Sequence, residues 1–221
     1  MPNALRAIVP MKPIPLCKSR LASVLDQESR AALSLEMLQH VLRALGQVIT
    51  PIDTLVVGGD QWVKHIAFQE SAGWLRDPGG NLNQAISYGV NRAFQDGAAA
   101  VLVLPGDLAL LTSTEIDDMI LLCDGLKNAV IAPASADGGT NAILAAKGNM
   151  MSPSYGPNSF NRHMELAKAM GTPVKISRSP GLAFDLDTPS DFAWYQTNCH
   201  SINNALNLWK GRLCSTQPET L

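Results

Sequence analysis

The sequence predicts a three-layer α/β sandwich built on a mostly parallel sheet. Strand-like and helix-like segments alternate along the chain, the pattern that produces a sheet covered by helices on both faces. The run from Ala99 to Leu104 is apolar throughout, as a strand buried on both sides requires. The polar residues that break the pattern fall just after apolar runs, where ligands collect in such sheets.

Leu5 to Val9 is a short apolar run closed by Pro10 and reads as the first buried strand. Ser29 to Leu45 carries Leu35, Leu38, Leu42 and Leu45 as a helical stripe. Leu55 to Val57, closed by Gly58 and Gly59, is a second strand. Gln61 to Ala72 suits a helix and Trp74 to Arg76 a brief strand. Asn81 and Gln84 stand at capping-box spacing before a helix reaching Gln95. The run at Ala99 to Leu104 is the central strand. Thr112 and Glu115 form a second capping box, opening a helix through Cys123. Val130 to Ala132 and Asn141 to Ala146 are further strands, joined by a turn at Asp137, Gly138 and Gly139. Ser159 caps and opens a helix to Met170, and Val174 to Ser177 is a late strand. Thr188 and Pro189 begin a last long helix as N-cap and first helical residue, with Asp191 capping at its third position. A single domain over residues 1–214 is expected, with 215–221 a loose tail.

Bulk properties exclude several classes. Hydrophobic residues make up 46% and charged residues 16% of the 221, which suits a globular domain rather than a disordered chain. A formal net charge of −2 provides no electrostatic footprint for nucleic acid or an anionic membrane. Any bound phosphate has to be held locally, by loops and a few cations. Cys17, Cys123, Cys199 and Cys214 form no CxxC pair, so neither a zinc site nor a disulfide framework is expected. Arg6 and Pro10 interrupt the N-terminal apolar stretch, and no run is long enough to span a bilayer. A reducing, cytoplasmic location is the expectation.

Five clusters can carry chemistry. Lys12, Lys18 and Arg20 follow the first strand, where a triphosphate needs neutralising charge; taken alone they read first as a solvated basic loop. No Walker A pattern accompanies them. Asp77-Pro-Gly-Gly-Asn-Leu-Asn83 is either a turn before a capped helix or a nucleoside loop in which Asn81 or Asn83 reads a purine edge. Asp107, in Leu104-Pro-Gly-Asp-Leu108, ends the best strand and can hold Mg²⁺ through oxygen. In Phe184-Asp-Leu-Asp-Thr188, an extended backbone points Asp185 and Asp187 to one side, which is costly without a counterion. Gly138-Gly-Thr-Asn141 and Tyr155-Gly-Pro-Asn-Ser159 combine glycine turns with Thr140 and a helix start at Ser159, whose free N–H groups suit an anion; Arg162 and His163 add positive charge. His40, His65, His163 and His200 form no spaced cluster. A phosphate acceptor needs no such base, because it is already anionic and can attack an α-phosphorus directly.

In this order, Lys12-Pro, Lys18-Ser-Arg-Leu21, Pro105-Gly-Asp-Leu108, Gly138-Gly-Thr-Asn141, Gly156-Pro-Asn-Ser-Phe160 and Asp185-Leu-Asp-Thr-Pro189 resemble the 2-phospho-L-lactate guanylyltransferase family. That family acts in coenzyme F-420 biosynthesis and includes phosphoenolpyruvate and 3-phosphoglycerate guanylyltransferases. Nothing beyond Trp194 takes part in the resemblance. It implies a GT-A-like nucleotidyltransferase fold, GTP and Mg²⁺ as nucleotide and cofactor, pyrophosphate release, and a lean towards a homodimer. It further implies that Lys18, Arg20 and Asp107 are catalytic, and that Lys12, Lys18, Arg20, Asn81 and Asn83 face the nucleotide. Thr140, Gly156 and Ser159 hold the acceptor, and Asp107, Asp185 and Asp187 carry the metal. Gly106 and Ala109 depart from the alanine and proline that the family often has there, a change able to loosen the loop around Asp107. Molybdopterin guanylyltransferases and sugar-phosphate nucleotidyltransferases share the fold, but their glycine-rich loop after the first strand is missing. A non-catalytic nucleotide-binding regulator is the alternative from another class, against which the three retained carboxylates weigh. The acceptor itself stays open among phospholactate, phosphoenolpyruvate and 3-phosphoglycerate.

Overall fold

At the centre of the fold, β1 (Leu5–Met11) sends Ala7 and Val9 into one hydrophobic layer and Ile8 into the other, the period-2 alternation of a strand covered on both faces. The computed structural model describes residues 5–135, 138–199 and Lys210. Asp137 of the expected turn, His200, Cys214 and the expected tail at 215–221 lie outside the described residues.

Six further strands complete the sheet: β2 (Asp53–Gly58), β3 (Gly73–Leu75), β4 (Ala100–Val103), β5 (Ala129–Pro133), β6 (Thr140–Ala146) and β7 (Val174–Ile176). Their order is β3-β2-β1-β4-β6-β5-β7, so the fully buried β4 is central, as its composition requires. All pairings are parallel except those of β6, which runs antiparallel to both β4 and β5. The α/β sandwich with a mostly parallel sheet is therefore what forms.

One face carries α1 (Gln27–Gly46), α2 (Gln61–Gln69) and α4 (Ser113–Leu122), packed through Leu35, Leu38, Val63, Ile66 and Met119. Two more helices, α6 (Pro180–Ala183) and α7 (Pro189–Asn198), join that layer through Leu182 and Phe192. The other face carries α3 (Leu82–Gln95) over Ile8, Val57 and Val101, and α5 (Ser159–Met170) over Ile131, Ile143 and Ala145. Leu102, 1% exposed, represents the cost of opening this core: truncation to Ala removes about 2–5 kcal/mol.

Local signals set most helix ends. The boxes Asn81/Gln84 and Thr112/Glu115 form as expected, and Thr188 with Asp191 makes a third. The first long helix starts two residues before Ser29, because the Asp26 carboxylate accepts the Ser29 N–H at 2.7 Å. The second ends at Gln69 rather than Ala72, where Ser71 takes a left-handed conformation. The fifth has Asn158 at its N-cap, with Ser159 inside the helix, so the expected serine cap is corrected. No periodicity in the sequence anticipates the short α6. No helix among the described residues is long and apolar enough to cross a membrane.

Candidate active site

The carboxyl ends of β1 and β4 open on a cleft of about 870 Å³, at the point where strand order reverses between β3-β2-β1 and the rest of the sheet. That is the crevice in which open α/β sheets bind ligands. The antiparallel β6 brings its N-terminal end, Thr140 and Asn141, to the same edge, beyond the Val103–Ile143 pair.

After β1 the chain makes two 3-10 turns, Ile14–Leu16 and Ser19–Leu21, with Lys18 between them at φ 51° and ψ 34°. Asp60 anchors this loop: it accepts the Ile14 N–H at 2.9 Å while also capping α2. A left-handed conformation is disfavoured for a lysine and persists only where its surroundings enforce it. Here the side chain is 4% exposed, and its ammonium donates to Asp107 and Asp187, each at 2.8 Å. Burial works against this ammonium, but the two carboxylates outweigh it and hold its pKa above the ordinary lysine value. Arg20 lies on the exposed side, 3.5 Å from the second oxygen of Asp187. Lys12 is exposed and lines the cleft with them.

Asp107 projects from the β4 loop while Leu104 and Leu108 on either side are fully buried. Gly106 gives the loop its close approach to β1: a Cβ there would lie 2.5 Å from the Met11 sulfur. The absence of a side chain at Gly106 makes room for Met11. Leu186 is buried in the core, and Asp185 and Asp187 flank it facing the cleft, as alternation predicts. The carboxyl of Asp185 is pushed up to about 7, first by burial and then by the charges of Asp107 and Asp187. For Asp187 burial also acts upward, but the charge and hydrogen bond of Lys18, followed by Arg20 and Lys12, hold it below the usual carboxylate range.

Among the described residues no three acidic, histidine or cysteine side chains are gathered closely enough to hold an ion by themselves. Instead, the Lys18 ammonium occupies the space between Asp107 and Asp187. The residues nevertheless fit a divalent cation. Three carboxylates line the cleft beside one buried ammonium and one exposed guanidinium, and the charges of Asp107 and Asp187 add to burial in raising Asp185. Mg²⁺ commonly takes one or two carboxylates and completes its shell with substrate phosphates.

Thr140, Gly156 and Ser159 line the same cleft. Gly156, at φ 123°, is in a conformation that side-chain-bearing residues rarely adopt. Among the described residues the buried Ser159 hydroxyl has no hydrogen-bond partner, a costly arrangement unless a ligand completes it. Two of the expected free N–H groups at this helix start are already taken. Ser159 N–H donates to the Gly156 carbonyl at 3.0 Å and Phe160 N–H to that of Gly138 at 3.1 Å. For His163 the expected positive charge is corrected, while Arg162 keeps its charge and spends its donors on the loop. Burial, then Arg162, lowers the His163 pKa to about 4, and the guanidinium of Arg162 donates to Ser154 and Pro157.

Asn81 lines the cleft while capping α3, but Asn83 does not. Its amide grips the backbone of Tyr155, accepting from N–H at 2.7 Å and donating to the carbonyl at 3.3 Å. Asn83 thus braces the loop at Tyr155 from outside the cleft lining. Asn141 is a site residue that sequence reasoning misses, although a lone amide in an apolar strand is a visible signal. It donates to the Leu182 carbonyl at 2.8 Å, tying β6 to the segment that delivers Asp185. Asp77, at the start of the glycine-containing loop before α3, also lines the cleft.

A switch-point cleft that gathers carboxylates, a buried lysine and two hydroxyl residues on this fold defines a nucleotidyltransferase. Solved structures share the fold. A protein from Desulfovibrio desulfuricans G20, provisionally assigned as a nucleotide-diphospho-sugar transferase, superposes with TM-score 0.77 at 18% identity over 96% of this chain and 98% of its own. The synthetase CMP:2-keto-3-deoxy-manno-octonic acid synthetase, solved with CTP, superposes with TM-score 0.58 at 11% identity, over 89% of this chain and 98% of its own. Residues 5–197 match the family model described as guanylyl transferase CofC like, and the chain belongs to that family. It is 39% identical over 188 residues to the phosphoenolpyruvate guanylyltransferase of Rubrobacter xylanophilus, covering 85% of this chain and 91% of the relative. It is 27% identical over 209 residues to the 3-phospho-D-glycerate guanylyltransferase of Colwellia psychrerythraea, covering 95% and 97%.

Proposed function

We propose that this chain transfers GMP from GTP to the phosphate of a small phosphorylated acid, with phosphoenolpyruvate as acceptor and pyrophosphate as leaving group. The reading carries with it a place in coenzyme F-420 assembly in the cytoplasm. One observation carries it above the others. The carboxylate–lysine cluster and the hydroxyl residues Thr140 and Ser159 line a single cleft of about 870 Å³, room for a donor and an acceptor at once. The greater identity to relatives named for phosphoenolpyruvate supports that acceptor over 3-phosphoglycerate.

Lys12, Lys18 and Arg20 neutralise the triphosphate, with Asn81 and Asp77 on the nucleoside side. Thr140 and Ser159 orient the acceptor phosphate so that one of its oxygens bonds to the α-phosphorus while the α–β bridge breaks. The acceptor is anionic near neutrality, so no general base is needed and positioning supplies much of the rate. Asp107, Asp185 and Asp187 would hold Mg²⁺, which would supply positive charge against the negative charge developing on the phosphates.

The test is an acceptor panel with purified protein, GTP and Mg²⁺, reading pyrophosphate release and product mass. Phosphoenolpyruvate should give the highest kcat/KM, ahead of 2-phospho-L-lactate and 3-phosphoglycerate, and GTP should outperform ATP, CTP and UTP. Absence of pyrophosphate with every acceptor would overturn the reading, and equal rates with ATP would remove its nucleotide part.

A further inference from the structure

His163 is fully buried, sits on the first turns of α5, and is idle in the chemistry described above. Its two ring nitrogens have different partners. The backbone N–H of Ser154 donates to Nε2 at 3.0 Å, and Nδ1 lies 2.9 Å from the Thr140 hydroxyl. A backbone N–H can only donate, so Nε2 carries no proton. With burial and Arg162 keeping the ring neutral, the single ring proton then sits on Nδ1 and is donated to the Thr140 oxygen. The threonine oxygen accepts from within the protein, and its own O–H is left to donate into the cleft that Thr140 lines.

We infer that His163 is a positioning residue that fixes the Thr140 hydroxyl as a hydrogen-bond donor aimed at the acceptor phosphate. The inference rests on the reading above, in which Thr140 touches the acceptor. Without His163, the hydroxyl is free to rotate and to present its lone pairs, which repel a phosphate oxygen. The polarity of the whole chain is set at Ser154, whose carbonyl and hydroxyl are held by Arg162 at 2.8 and 2.9 Å. Two adjacent residues of α5 therefore act in series. Arg162 fixes the loop, and the loop fixes the tautomer of His163. Edge-on packing of Tyr155, with ring centres 5.0 Å apart, holds the imidazole in plane with this chain.

The experiment uses the full chain and phosphoenolpyruvate with GTP. His163→Phe and Thr140→Val should each raise the acceptor KM roughly tenfold or more, with GTP affinity by calorimetry unchanged. The double variant should be no worse than Thr140→Val, because His163 acts only through that hydroxyl. His163→Asn, whose amide N–H can stand where Nδ1–H was, should restore KM to within about threefold of the parent. Nitrogen-15 NMR of the unsubstituted chain at pH 7 should show a neutral ring protonated at Nδ1, a readout that does not depend on any variant folding. A ring protonated at Nε2, or at both nitrogens, overturns the inference. So does an unchanged acceptor KM in His163→Phe when Thr140→Val raises it, which leaves the acceptor reading standing. An unchanged KM in Thr140→Val removes that reading and the inference with it.

Discussion

The ammonium of Lys18 lies 2.8 Å from Asp107 and 2.8 Å from Asp187, across sequence separations of 89 and 169 residues. This one buried charge closes the β1, β4 and α6–α7 segments around the same point. Lys18→Met should abolish turnover and leave two carboxylates facing each other. Breaking a fully buried pair costs about 3–5 kcal/mol, but Asp107 and Asp187 are 35% and 43% exposed, so the loss should be nearer ~1–2 kcal/mol. Thermal melting should then recover with millimolar Mg²⁺ in the variant more than in the parent. A variant that melts normally and ignores Mg²⁺ contradicts the electrostatic reading of the cluster.

Asp107→Asn keeps the shape of the loop and removes a charge from the proposed metal site. Turnover should fall by two orders of magnitude or more, on the scale of about 2.7 kcal/mol of lost transition-state stabilisation. The melting temperature should stay near that of the parent. Normal turnover at limiting Mg²⁺ would sink the metal assignment for Asp107.

Ser159→Ala separates binding from stability. The hydroxyl has no partner among the described residues, so its removal should leave stability unchanged or raise it slightly. Acceptor use should weaken by roughly 10- to 100-fold, the worth of a hydrogen bond to a charged group. Steady-state kinetics for acceptor beside calorimetric GTP affinity gives the comparison. Lost GTP affinity with an unchanged acceptor KM means that the two halves of the cleft have been assigned the wrong way round.

Asn83→Ala tests the reassignment of a residue that sequence alone places at the nucleoside. Because its amide holds both backbone groups of Tyr155, the variant should raise the acceptor KM several-fold and leave the GTP-over-ATP preference intact. A change in base preference would return Asn83 to the nucleotide.

His163 also predicts a pH dependence. Its pKa falls from 6.5 to about 4 on folding, so the unfolded chain binds more protons between those values and stability rises with pH through that window. By pH 4 the penalty reaches about 3 kcal/mol for this group alone. The conservative variant His163→Asn lacks it, so the parent should lose stability relative to the variant as pH drops from 6.5 to 4. Parallel denaturation midpoints across that range would falsify a buried neutral imidazole.

Much of the fold is legible in the sequence because it is decided locally. Capping boxes at Asn81/Gln84 and Thr112/Glu115 satisfy backbone N–H groups within four residues, so short-range spacing suffices to place two helix starts. The apolar run at β4 needs no partner's identity to be central, because only double-sided burial stabilises it. Likewise Asp185 and Asp187 share a side because a buried leucine separates them in extended chain. What tertiary structure alone decided involves distant partners. The reversal of β6 between β4 and β5 carries Thr140 to the ligand edge, and strand order is not a local property. The same holds for Asn83, drawn 72 residues away to Tyr155, and for the α5 N–H groups taken up by the Gly138 and Gly156 carbonyls. A side chain's type limits which hydrogen bonds it can make, whereas the packing of the whole chain determines which partner comes within reach, and that choice made His163 a fixed donor rather than a charge.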